Sequence, residues 1–163
     1  MKVRVREEYY RWIKTYEQRR DAIKKRFGYD KGTPPEGYGK AVKNISYRLK
    51  YWRRQLRRFD EKMTNVRKLA NDVKRVTGCS VHLSNHSKNP DVKVATYLFY
   101  TAGLDSGING VLLRRYTGAK CKDTARLARK RFKNGLNNNI QYRQTWQRWK
   151  IFIREQKGVS QAA

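Results

Sequence analysis

The chain has 163 residues, 40 of them Lys or Arg against 13 Asp or Glu, for a net charge of +27. A compact protein this charged repels itself, so its natural partner is a polyanion: nucleic acid first, an anionic membrane surface second. No apolar run approaches the roughly 18 residues of a spanning segment, and residues 1–8 lack the apolar core of a secretory signal. The expectation is a protein that stays in the cytoplasm, nucleoid-associated, or is packaged inside a phage particle, and that makes no membrane contact.

An apolar content of 38% with 11 Tyr, 5 Phe and 4 Trp is sufficient for a core and argues against wholesale disorder. The two cysteines, Cys79 and Cys121, build no disulfide framework. The periodicity throughout is helical, so the fold class is all-α. An N-terminal antiparallel helical hairpin, a coiled-coil-like arm over residues 1–63, is expected to precede a compact helix-turn-helix domain over residues 64–154 and a flexible tail over residues 155–163.

Val5, Tyr9, Trp12, Tyr16, Ile23 and Phe27 form the apolar stripe of a first helix, with Arg19 breaking it and Gly28 placed as its C-terminal cap. Residues 28–40 hold four Gly and the pair Pro34-Pro35, which reads as a loop. Next comes a near-heptad seam of Ile45, Leu49, Trp52, Leu56, Phe59, Met63, Val66, Leu69 (or Ala70) and Val73. Two such helices are expected to fold back on each other, and the second to run on into the next domain as a rigid arm. The seam offers a second use, pairing with another copy of the chain or with a virion or replication protein, although Trp12 and Trp52 suit an intramolecular hairpin better than a Leu/Ile zipper. Arg53, Arg54, Arg57 and Arg58 are either phosphate contacts on the arm or the solvated face of a coil. Few acids neutralise them, since residues 1–63 hold 20 basic and 8 acidic side chains, net +12.

After Val76-Thr77-Gly78 the chain turns polar. Cys79, His82 and His86 have a C-x2-H-x3-H spacing, but a tetrahedral zinc site needs a fourth ligand that only Cys121 or a carboxylate could supply, so no metal is expected. Residues 91–102, with Val92, Val94, Ala95, Tyr97, Leu98, Phe99 and Tyr100, read as a buried helix ended by Gly103. Asp105 or Ser106 is placed to cap another helix over residues 108–115, with Ile108, Val111 and Leu112 inward. Residues 114–133 then read as a helix end, a turn at Thr117-Gly118-Ala119, and a second, strongly basic helix capped by Asp123 or Thr124, with apolar Ala125, Leu127, Ala128 and Phe132. Asn134-Gly135 and Asn137-Asn138-Asn139 mark a break. Ile140, Tyr142, Trp146, Trp149, Ile151 and Ile153 suggest a terminal helix packed back on the domain.

A helix-turn-helix whose second helix is this basic has the geometry used to enter a DNA major groove. Residues 114–154 hold 13 Lys or Arg and one acid, Asp123. Arg126, Arg129 and Lys130, with Lys122, Asp123 and Thr124 leading in, are expected at the groove. Lys88, Lys93, Arg114, Arg115 and Lys120 are expected on flanking phosphates. Asp123 can accept from cytosine N4 or cap its helix, and the cap is the expected role. Six to ten neutralised phosphates would give a salt slope of about −5 to −9.

Three features of residues 64–153 carry a family resemblance. One is a long helix ending at Val76-Thr77-Gly78, followed by a loop with Ser84 and Lys88. The second is a buried helix with Ala95, Tyr97 and Leu98. The third and most specific is Tyr116-Thr117-Gly118-Ala119-Lys120-Cys121-Lys122-Asp123-Thr124-Ala125. This arrangement resembles the C-terminal DNA-binding domain of the bacterial replication initiator DnaA, whose signature is aromatic-Gly-Gly-Arg-Asp-His-Ser/Thr-Thr-Val; one residue is inserted here. The resemblance implies double-stranded DNA binding. Aligned at Thr124, the signature histidine is replaced by Lys122, the preceding acid by Cys121, and Asp123 takes the first hydroxyl position. The initiator's own box should therefore not be recognised, and no Walker A loop is present. A basic domain of this kind with a helical arm fits a phage or mobile-element protein.

No paired carboxylates, nucleophile motif or glycine-rich phosphate loop suggests catalysis, so a non-enzymatic protein without cofactors is expected. Two alternatives share the same residues. One is a virion or nucleoprotein component that holds packaged DNA with little sequence specificity while the arm binds a protein partner. The other is an RNA-binding protein whose exposed Tyr and Trp stack on bases.

Overall fold

The computed structural model describes residues 6–29, 33–81 and 89–161. It is all-helical, with six helices and no strand among the described residues: α1 (Arg6–Arg26), α2 (Tyr38–Thr77), α3 (Pro90–Asp105), α4 (Gly110–Thr117), α5 (Thr124–Asn138) and α6 (Ile140–Gln161). The contacts divide it into two units, Met1–Lys62 and Met63–Ala163. No described helix is long and apolar enough to cross a membrane.

In the first unit α1 ends where Gly28 adopts a positive φ of 61° and the amides of Gly28 and Tyr29 close back on the carbonyls of Lys25 and Lys24. Only a residue without a Cβ takes that conformation at little cost. Partners on α1 and α2 run in opposite order along the chain. Arg6 pairs with Asp60, Tyr9 meets Phe59 and Trp52, Glu17 takes Arg53, and Phe27 lies edge-on to Tyr38.

The stripe on α1 follows the sequence reading at Tyr9, Tyr16, Ile23 and Phe27 and departs from it at Trp12. Ile13 is the buried residue, and Trp12 is 41% exposed, stacked on Trp52 with ring centres 5.6 Å apart. The inward set is therefore Tyr9, Ile13, Tyr16, Arg20 and Ile23, a regular 4-3-4-3 spacing. Arg20 stands on it where Arg19 was expected to interrupt. An indole is wide enough to cover its neighbour from the rim, which leaves the smaller isoleucine for the interior. Helix α2 begins at Tyr38, so Gly39 and Lys40 belong to its first turn and not to the preceding loop.

In the second unit the end of α2 contributes Val66, Leu69, Ala70 and Val73 to the core. Helix α3 is buried on nearly all sides through Val94, Ala95, Leu98, Phe99, Tyr100, Thr101 and Ala102, and it touches α4, α5 and α6. Gly103 does not end it. A Cβ there would come within 2.7 Å of Leu113 Cδ2 and 3.1 Å of Leu69 Cδ2, so this glycine is helical and serves close packing. The stop comes at Gly107, with a φ of 76°. Neither Asp105 nor Ser106 caps the next helix. Asn109 does, its side chain accepting from the Val111 amide at 2.8 Å, and Ile108 lies before the helix.

Likewise Asn134-Gly135 lies inside α5, and the break falls at Asn139. Asn139 closes α5 through its amide to the Gly135 carbonyl, and its side chain accepts from the Gln141 amide at 2.8 Å to open α6. Gly135 is again a close approach, since a Cβ would sit 2.4 Å from Tyr142 Cδ1. Helix α6 presents Tyr142, Trp146, Trp149 and Ile153 inward, while Ile140 and Ile151 are exposed. It continues as far as Gln161, through residues expected to form a tail.

Candidate nucleic-acid interface

Burial orients α5. Ala125, Ala128 and Phe132 are buried, with Phe132 against Tyr142 and Trp146 of α6 at centroid distances of 5.5 and 5.8 Å. At 3.6 residues per turn, the opposite face carries Arg126, Lys130, Lys133 and Asn137, again at 4-3-4 spacing, with Asn134 beside them. All five are exposed. Leu127, one of the four apolar residues read on this helix, is 42% exposed and lies on the outer side. Lys133, Asn134 and Asn137 were not among the candidates read from the sequence. The 4-3-4 spacing shared with Arg126 and Lys130 is the signal that would have found them.

The link from α4 to α5 is built by backbone closure and one arginine. Gly118 takes a left-handed φ of 68°, and the amides of Gly118 and Ala119 donate to the carbonyls of Arg115 and Arg114. Arg114 is half-buried and donates through Nη1 to the Cys121 carbonyl at 3.1 Å and the Lys120 carbonyl at 3.4 Å. It braces the turn, where a free phosphate contact was expected. Below the turn, Thr117 is buried. Its hydroxyl hydrogen-bonds the hydroxyl of Tyr100, and it reaches the Arg114 carbonyl at 3.1 Å. Burial pushes the Tyr100 phenol above its usual range, and Thr117 and nearby Arg114 only partly oppose this. On the other side of the unit, burial and the neighbouring Tyr97 raise Tyr142, while Arg131 opposes them.

Asp123 occupies the cap position of α5 but makes no capping hydrogen bond. Its backbone is already helical, which turns its carboxylate away from the free amides. It lies 3.6 Å from Arg126 instead, a pair so exposed that it contributes little. Thr124 does not cap either; its hydroxyl donates to the Cys121 carbonyl at 2.9 Å. Arg129, expected at the groove, pairs with Asp105 at the last turn of α3, where a lone carboxylate would face the negative end of the helix dipole. Its guanidinium is thereby committed to holding α5 on α3.

The structure brings Arg114, Lys122, Arg126 and Arg129 together around an open concavity of about 360 Å³ between the starts of α4 and α5, with Asn109 and Gly110 on its wall. Gly110 would place a Cβ 3.3 Å from that of Ala125, so the two helices meet closely there. Lys120 and Lys122 are exposed on the turn, Arg115 is half-buried on α4, and Lys93 is exposed on α3. Lys88, Ser84, His82 and His86 lie outside the described residues. Among the described residues no cluster of three or more His, Cys, Asp or Glu is placed to hold a metal, and Cys121 is exposed. Comparison with known protein families, curated proteins and solved structures finds no match.

Proposed function

We propose that the second unit is a double-stranded DNA-binding module in which α4, the turn and α5 act as a helix-turn-helix, as the resemblance to the DnaA C-terminal domain suggests, and that the protein is not an enzyme. The observation that carries this reading is the outward face of α5. Three cations and two amides are aligned there, opposite a face anchored by Phe132. Lys120 and Lys122 extend the positive surface into the turn, and Asp123 is the one acid within it.

In such a docking Arg126 and the asparagines would meet base edges. Arginine offers two donors to guanine O6 and N7, asparagine pairs with adenine N6 and N7, and exposed Leu127 suits a thymine methyl. Lys120, Lys122, Lys130 and Lys133 would lie on phosphates. In the first unit, the helical arm formed by α1 and α2 adds a second basic surface.

A structural role, holding packaged DNA with little discrimination, is favoured by one specific observation. Arg114 and Arg129, the residues best suited to bidentate recognition, are engaged within the protein, so lysine dominates what remains. Selection of bound duplexes from a random pool, followed by competition of a labelled random duplex with selected and unrelated ones, separates the two. A specificity ratio above about tenfold assigns base readout, and a lower one assigns the architectural role. Absence of duplex binding would overturn both.

A further inference from the structure

The first unit has a concavity of its own, separate from the interface above. Arg20 of α1 and Lys50, Arg53, Arg54 and Arg57 of α2 line an open groove of about 650 Å³, with Leu49 and Ser46 also in its wall. No acid lines it. Glu17 takes Arg53 at 2.8 Å, Asp21 takes Arg20 at 3.4 Å, and Glu61 lies 3.7 Å from Arg57. Lys50 and Arg54 have no ion pair among the described residues. Five cations converging on one groove repel one another, and Arg20 does so from the inward stripe of α1, where an apolar residue would pack better. Such an arrangement is favourable when a multiply charged anion occupies it.

Beside the groove α2 exposes two rings, one of which, Tyr51, also meets the seam residue Trp52 edge-on with ring centres 5.0 Å apart. Tyr47 is 69% exposed and Tyr51 is 42% exposed. With Arg54 and Arg58 they repeat at 4-3-4 spacing, so rings and guanidiniums share one solvent-facing stripe. Tyr47 and Tyr51 stand one turn apart; Arg54 belongs to both the stripe and the groove wall, and Lys50 lies between the two tyrosines and the groove. A duplex hides its base faces, so exposed rings next to a phosphate-binding groove suit unpaired bases, which stack on aromatics while the backbone follows the cations.

We propose that the α1–α2 groove binds single-stranded nucleic acid, with backbone phosphates held by Arg20, Lys50 and Arg54 and bases stacked on Tyr47 and Tyr51. The site is independent of the duplex interface on α5. DNA and RNA strands share this chemistry, so both are tested.

The experiment uses the full chain and measures fluorescence anisotropy with a labelled thymidine oligonucleotide, its uridine RNA counterpart and a random duplex. Expected results are that Tyr47→Ala/Tyr51→Ala weakens single-strand binding by about tenfold or more while duplex affinity changes by less than about threefold, and that Lys50→Glu/Arg54→Glu weakens single-strand binding by about tenfold or more. All four side chains are exposed, and far-ultraviolet circular dichroism checks that the helices are kept. A ratio of DNA to RNA affinity above about tenfold identifies which strand is preferred. The proposal is overturned if the tyrosine variant binds single strands as the wild type does, or if inorganic polyphosphate of equal charge displaces the oligonucleotide as well as an unlabelled strand. Arg126→Ala/Lys130→Ala/Lys133→Ala should spare single-strand binding. If that variant also keeps full duplex affinity, the α5 reading fails and this one stands.

Discussion

Removing Arg126, Lys130 and Lys133 together should change how duplex binding depends on salt. Each lysine or arginine that neutralises a phosphate contributes about −0.9 to the slope of log K against log salt. Arg114 and Arg129 are engaged within the protein, so the cations offered by the turn and the outward face of α5 are Lys120, Lys122, Arg126, Lys130 and Lys133. These five contacts give a slope of about −4.5, and a fall in affinity of about 500-fold between about 50 and 200 mM salt. The triple alanine variant keeps two of them, for a slope of about −1.8 and a fall of about twelvefold over the same range. The decisive quantity is the difference of about 2.7, because cations on the arm contribute equally to both proteins. Anisotropy titrations of a labelled random duplex at four salt concentrations measure it. Arg129→Ala is the internal control. Its guanidinium holds Asp105, so it should lower stability by about 0.5–1 kcal/mol and leave the slope within about 0.5 of the wild type. A triple variant whose slope matches the wild type refutes the assignment of α5, and a wild-type slope near −1 refutes phosphate binding by this surface.

Three further substitutions test the scaffold. Gly135→Ala places a methyl 2.4 Å from Tyr142 Cδ1 and should destabilise by about 1–3 kcal/mol in urea; the cost should shrink when Tyr142→Ala is added, and an additive double variant would sink the packing argument. Thr117→Val leaves the buried Tyr100 hydroxyl without this partner and should cost about 1–3 kcal/mol, whereas Thr117→Ser, which keeps the hydroxyl, should cost less; a valine variant as stable as the wild type would refute the role of the hydroxyl. Burial raises the Tyr100 phenol in the folded state, so above about pH 10 the unfolded chain loses that proton first, and stability falls until the folded phenol also ionises. Urea midpoints measured across that alkaline window should fall less steeply for Tyr100→Phe than for the wild type, and parallel curves would refute the assignment.

The sequence alone determined that the chain is helical and where most helices lie, because periodicity is a local property. The seam from Leu49 to Val73, the cap at Gly28 and the turn at Gly118 depend on nearest turns, and they are as read. It also showed the apolar residues of the basic helix, Ala125, Leu127, Ala128 and Phe132, and folding buries all but Leu127. Tertiary structure decided three things that local signals misreport. Gly103 and Gly135 look like breakers but are helical, because another helix approaches too closely for a Cβ. On α1, whether Trp12 or Ile13 lies inward turned on whether an indole or an isoleucine fits beneath α2, a choice that depends on the partner's surface. Most consequentially, Arg114, Arg126 and Arg129 are alike as letters in a basic run. Only the positions of the turn carbonyls and of Asp105 show that two of them brace the fold and one, 81% exposed, faces outward. A guanidinium is directed by the acceptors within its reach, and those acceptors are brought to it by folding.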